Sequence, residues 1–248
     1  MKMIQAKRTV LMAWLFGARY VCGIALLTLW LGGARPALAD AAKYPSAAPL
    51  DEYRIASQAD EIALARSAAP PSIANDAEIM TLGAASYEIA VKGKNGFVCL
   101  VERGWASEPN DPEFWNPRLR GPLCFNPAAV RSVMPTYLER TRWVLAGASK
   151  EEIVQRTKAA IGAGRIRPPE NGAMSYMMSK DGYLGDSAGG HWHPHLMLFV
   201  PRGAAAPNWG ADLPGSPVLS SGPGLDPAGL YYILVAKWSD GTMATMDK

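Results

Sequence analysis

Between residues 127 and 162 the apolar positions recur at helical spacing. Asn126-Pro127 supplies a cap and a proline at the first helical position. Val130, Met134, Tyr137, Leu138, Thr141, Val144 and Leu145 then form one stripe. Pro135 falls inside the stripe and predicts a kink or a restart, because proline removes a backbone donor and crowds the preceding turn. Gly147 is placed to end the helix in the left-handed region. Ser149 and Glu152 have capping-box spacing and open a second helix with Ile153, Thr157, Ala160 and Ile161 inward. So short a connection predicts an antiparallel helix pair.

On both sides of these helices the period drops to two. Residues 77–82 read as a weak strand. Tyr87, Ile89 and Val91 alternate with Glu88, Ala90 and Lys92, and Phe97 to Val101 is apolar throughout. Lys94-Asn95-Gly96 lies between these two runs and predicts a hairpin, hence a three-stranded antiparallel meander. Residues 104–126 read as a long irregular loop, with Trp105, Pro109, Pro112, Trp115, Pro117 and Pro122. Residues 173–179 and 230–238 read as strands, and His195 to Val200 as a central strand buried on both faces. Pro201 to Gly229 is rich in glycine and proline and reads as surface loop. Near the other end, Asp51 is a candidate cap for a helix with a narrow stripe of Ile55, Ala59, Ile62 and Ala63, closed by Pro70-Pro71. Helices grouped between two runs of strands define an α+β fold: a mainly antiparallel sheet, a central antiparallel helix pair and one flanking N-terminal helix.

Residues 1–39 follow a different logic. Lys2, Lys7 and Arg8 give a basic start, Tyr20 to Leu31 is an apolar run, and Ala37-Leu38-Ala39 has the small-x-small pattern of a signal-peptidase site. This predicts a signal peptide cleaved after Ala39, a flexible lead-in over 40–50, and a single domain over 51–248. It also predicts a periplasmic or secreted location, with no membrane span after cleavage. The charge balance then changes. The chain has 25 Lys and Arg against 22 Asp and Glu, but five of the basic residues (Lys2, Lys7, Arg8, Arg19, Arg35) lie before Asp40. The remainder is slightly acidic, which excludes a nucleic-acid partner. Cleavage also removes Cys22. Cys99 and Cys124 remain in an oxidising compartment and are expected to form a disulfide.

His191-Trp192-His193-Pro194-His195 contains every histidine of the chain. If the segment is extended, the three rings share a face at about 6.5–7 Å spacing, and two can converge on one zinc ion. Glu102, Asp181 and Asp186 are the candidate carboxylates that would complete such a site. Against this stands a structural cluster bonded to backbone, with Trp192 packed on the core, or acid–base chemistry without metal. Trp105, Trp115 and Trp192 are candidate ligand-stacking residues, and also candidate core. Arg118, Arg120, Arg131, Arg140 and Arg142 form a locally basic stretch that reads as an anion-binding surface or a solvated face. Gly185-Asp186-Ser187 resembles the nucleophile block of SGNH-type esterases, but it lies late in the chain and no Asp-x-x-His follows.

Asn95-Gly96-Phe97-Val98-Cys99, Gly172-Ala173-Met174-Ser175-Tyr176-Met177 and Trp192-His193-Pro194-His195-Leu196-Met197 resemble stretches of an uncharacterised family of exported bacterial proteins. The resemblance implies a periplasmic or secreted protein and carries no activity with it. The expectation is a non-catalytic binding or envelope-associated module whose partner is a small molecule or a cell-envelope component. The alternative is a metal-dependent hydrolase centred on His191, His193 and His195.

Overall fold

A computed structural model describes residues 43–186, 190, 192–203 and 208–245, so the expected signal segment lies outside the described residues. Strands β1 (Glu78–Leu82), β2 (Tyr87–Val91), β3 (Val98–Glu102), β4 (Gly121–Phe125), β5 (Met174–Met177), β6 (His195–Pro201), β7 (Val218–Ser220) and β8 (Ala228–Leu234) form one sheet. Their order is β2-β1-β3-β4-β5-β6-β8-β7. Every neighbouring pair is antiparallel except β1 and β3. With helices α1 (Gln58–Arg66), α2 (Pro71–Ala74), α3 (Pro127–Ser132), α4 (Met134–Leu145) and α5 (Lys150–Gly162), the fold is α+β. Among the described residues no helix is long and apolar enough to cross a membrane.

The middle helices follow the local signals. Asn126 accepts from the Ala129 N–H as a cap, and the chain breaks at Val133 before Pro135. Gly147 has φ +81°. Ser149 and Glu152 make the reciprocal capping box. Ile153, Thr157 and Ala160 are fully buried.

The strand pairing differs from the meander. β1 lies between β2 and β3, so Lys94-Asn95-Gly96 does not close a hairpin. The turn instead bonds backwards: Lys94 N–H donates to the Asp76 carbonyl and the Asn95 side-chain amide to the Ile73 carbonyl. These bonds hold the turn against the segment that enters β1, and β3 therefore pairs parallel to β1 at Glu78↔Val98. The supposed loop 104–126 ends in β4, buried along its whole length. Pro122 is tolerated there because β5 pairs with β4 only at Cys124 and Phe125, which leaves Pro122 beyond that ladder. The 201–229 loop likewise contains β7, and the last strand stops at Leu234 rather than Trp238.

The flanking helix begins later than expected. Asp51 sits in a 3-10 turn, Leu50–Tyr53, and the cap of α1 is Ser57, whose hydroxyl accepts from the Asp60 N–H at 3.1 Å. Ala59 and Ala63 are exposed, and Glu61 and Ala65 face inward instead. Residues 43–50 are anchored as well: Tyr44 and Ala48 pack on the core, and the Ala48 N–H donates to the Tyr53 hydroxyl.

Residues opposite one another on paired strands share a face. The registers Glu102↔Gly121, Met177↔His195 and Met197↔Tyr232 place Leu100, Glu102, Leu123, Phe125, Met177, His195, Met197, Phe199 and Tyr232 on one side. The apolar members of that side form one core with α3 and α4. Ile79, Cys99, Val101 and Cys124 occupy the other side, packed with Ala65 of α1 and with Ala68, Ala69 and Ala74. Cys99 and Cys124 stand opposite each other on β3 and β4 and form a disulfide, 25 residues apart in sequence. Replacing both by alanine is expected to lower stability by about 3 kcal/mol, chiefly by freeing the unfolded chain. The check is a denaturant midpoint that falls at unchanged slope; an unchanged midpoint would contradict it.

Candidate functional site

A cavity of about 650 Å³ lies against the α4-side face of the sheet. Met177, Met197, Phe199 and Leu230 give it an apolar floor, and Val133 and Tyr137 line it from the helical side. The rest of its wall comes from two loops. Residues of the 106–113 stretch, Ala106 to Glu113, lie on one side, and Ser221 to Pro227 on the other. The long loop after β3 therefore shares a pocket with a histidine.

Four residues that line this space carry polar groups: Glu102 its carboxyl, Tyr137 and Tyr232 their hydroxyls, and His195 its Nε2. None makes a hydrogen bond to a described residue. His195 is 1% exposed, and its Nδ1 lies 2.7 Å from the His193 carbonyl oxygen. A nitrogen facing a carbonyl must carry the proton, so Nε2 is an acceptor. Burial pulls the His195 pKa down to about 4 against the opposing effect of the backbone bond, so the ring is neutral at pH 7. Trp192 meets His195 and Tyr232 edge-on, with centroids 5.0 and 5.1 Å apart, and closes that corner.

Glu102 is half-buried and lies in the cavity wall. Burial, then the Asp111 carboxylate, pushes its pKa up to about 8, so it is a neutral acid at pH 7. Burial raises Tyr137 well above the usual phenol range and Tyr232 to about 12, with Glu102 the next cause for both.

The two loops are fixed by arginines. From α4, Arg140 donates to the Ala106 and Ser107 carbonyls and pairs with Asp226 at 2.6 Å. Arg202 pairs with Glu108 at 3.0 Å and donates to the Asp226, Gly222 and Ala228 carbonyls. The cavity acids Glu108 and Asp226 are thus compensated, whereas Glu102 and Asp111 have no ion pair among the described residues.

The sequence candidates are distributed unevenly over this architecture. Glu102, Trp192 and His195 line the cavity. His193 contributes its carbonyl, and its ring is not part of the wall: β6 starts at His195, so the alternation expected of an extended His191–His195 does not reach back through Pro194. His191 lies outside the described residues, as does Ser187. Asp181 is exposed. Asp186 is taken up by Lys43, Tyr44, Arg118 and Tyr183, and the Lys43 contact above all holds its carboxyl far below the usual range. Among the described residues no three His, Cys, Asp or Glu side chains gather as metal ligands. Trp105 and Trp115 are core, 1% and 3% exposed, and the Trp105 ring N–H donates to Thr141. The basic stretch is largely ion-paired: Arg118 with Asp186, Arg131 with Glu170, Arg140 with Asp226 and Arg142 with Glu139.

Tyr137, Tyr232 and Asp111 were not singled out by sequence. The tyrosines sit in apolar stripes and read as packing. The available signal was Glu102 itself, an acid continuing the inward alternation of Val98 and Leu100. Comparison with protein-family models, curated proteins and solved structures finds no match.

Proposed function

We propose that this is an exported binding module that takes a small molecule with an apolar body and one polar end into the cavity. The observation that carries the reading is the cavity itself: an apolar floor, and in its lining four residues whose polar groups make no hydrogen bond to a described residue. Its volume falls in the range of about 300–1,000 Å³ typical of small-molecule sites. In this reading α4 and α5 act as the central antiparallel helix pair that supports one wall, with α1 as the flanking helix behind the sheet. Export, cleavage after Ala39 and kinship with the uncharacterised exported bacterial family belong to the same proposal. The buried Cys99–Cys124 bond supports it, because such bonds persist in oxidising compartments.

The test uses N-phenyl-1-naphthylamine, an uncharged dye that brightens in apolar surroundings. Saturable binding at one dye per chain is expected. Leu230→Trp, which fills the floor, should weaken it by at least about 10-fold, the order of 1.4 kcal/mol. No binding, or equal binding to both proteins, would refute the reading.

A further inference from the structure

Resting on that reading, we infer that the polar end of the ligand is a protonated amine, received by Glu102, His195 Nε2 and the field of Asp111. Three independent features point to this chemistry. First, Nε2 of His195, a residue of the cavity wall, is a buried acceptor with no partner among the described residues, and the bond from Nδ1 to the His193 carbonyl prevents the ring from offering a donor there. The group it meets must donate. Second, the carboxyl of Glu102 lies in the same wall, makes no hydrogen bond to a described residue and has no cation beside it. Burial, then the Asp111 carboxylate, keeps it protonated up to about 8, and an ammonium group beside it would favour the charged form.

Third, the charges around the cavity are not balanced. Arg140 and Arg202 are committed to Asp226 and Glu108. Glu113 accepts from the Asn116 amide and the Asp186 N–H, and Asp111 accepts from the Glu113 N–H, so both carboxylates keep their charge uncompensated. Arg167, the other cation of the wall, donates to the Gly164 carbonyl and has no ion pair among the described residues, so against Asp111 and Glu113 it leaves a single negative charge in excess. An ammonium group carries several donors, no acceptor and one positive charge, which matches a fixed acceptor, a carboxyl and an acidic field. A carboxylate or phosphate would meet the Asp111 and Glu113 carboxylates with like charge. An alcohol would satisfy Nε2 and leave the acids unmatched.

The experiment is calorimetric titration of the mature protein at pH 7 with three probes of equal shape: 4-phenylbutylamine, 4-phenylbutan-1-ol and 5-phenylpentanoate. The amine is expected to bind at least about 10-fold more tightly than the alcohol, and the carboxylate most weakly. Glu102→Gln should bring the amine-to-alcohol ratio to within about 2-fold, and Asp111→Asn should lower it by a smaller factor. The Asp111 variant serves if Glu102→Gln does not fold. An alcohol or carboxylate as tight as the amine, or a preference unmoved by both substitutions, would overturn the inference. Dye binding without amine preference would remove this inference and leave the binding reading standing, whereas no dye binding would remove both.

Discussion

Glu61→Ala is expected to destabilise the protein by about 3–5 kcal/mol, the cost of stranding one member of a buried ion pair. The partner is Arg103, which is fully buried. Its guanidinium reaches Glu61 at 3.0 Å and the Tyr53 carbonyl at 2.8 Å, and it also donates to the Val101 carbonyl. Glu61 in turn accepts from the Leu82 N–H at 3.1 Å. The pair therefore ties the N-terminal segment, α1, β1 and β3 together. Alanine leaves a desolvated cation and an unmatched N–H in the same place. For a domain with typical stability of about 5–15 kcal/mol this approaches loss of the fold. Urea denaturation of the variant measures it, and a fall smaller than about 1 kcal/mol would show that the pair is solvated rather than internal. Replacing the pair with Glu61→Leu and Arg103→Met together should not restore stability. The Tyr53 carbonyl and the Leu82 N–H would still lack their partners, whereas the Val101 carbonyl keeps the Tyr87 hydroxyl at 2.7 Å.

That pair also shows what the sequence conceals. Glu61 and Arg103 are 42 residues apart and each reads as a surface charge. Inward-facing Glu61 breaks the apolar stripe of α1: of Ile55, Ala59, Ile62 and Ala63, the two isoleucines pack on the core and the two alanines are exposed. Features decided within a few residues were readable: the Asn126 cap, the break before Pro135, the Ser149–Glu152 box and the left-handed Gly147. Each depends on backbone groups bonding to neighbours in sequence. Strand order depends on partners far away. The Lys94–Gly96 turn has hairpin composition, yet its amides are claimed by Asp76, which no local pattern reveals. β4 was hidden by Gly121-Pro122, although the expected bond between Cys99 and Cys124 already required that segment to lie beside β3.

The site was legible to a similar depth. The histidine cluster drew attention to the right strand, but its period-two logic assumed that the strand began at His191. It begins at His195, and among the described residues that is the one histidine lining the cavity. Glu102 was named as a carboxylate for a metal. In the fold its notable property is isolation from cations, which only the placement of Arg140 and Arg202 on other acids makes visible.

The same isolation predicts how stability varies with pH. Glu102 titrates near 4.5 when unfolded and near 8 when folded. The folded state holds the proton more tightly, so this contribution is complete below about pH 4.5 and is lost as pH rises to about 8, by about 5 kcal/mol in total. His195 runs the other way. Its folded value near 4 lies below the ordinary 6.5, so its contribution is present above about pH 6.5 and is lost as pH falls to about 4, by about 3 kcal/mol. Between about pH 4.5 and 6.5 the two slopes oppose each other and cancel, giving a plateau. From about pH 6.5 to 8 only Glu102 acts, and stability should fall by about 2 kcal/mol. Urea midpoints across this range test the argument, with each variant compared with the parent so that other titrating groups drop out. Glu102→Gln should abolish the alkaline fall and turn the plateau into a rise toward pH 6.5. His195→Gln should turn the plateau into a continuous decline toward pH 8. If Glu102→Gln kept the alkaline fall, the acid would have to be solvated or paired, and the cavity would not be the low-dielectric chamber its walls describe.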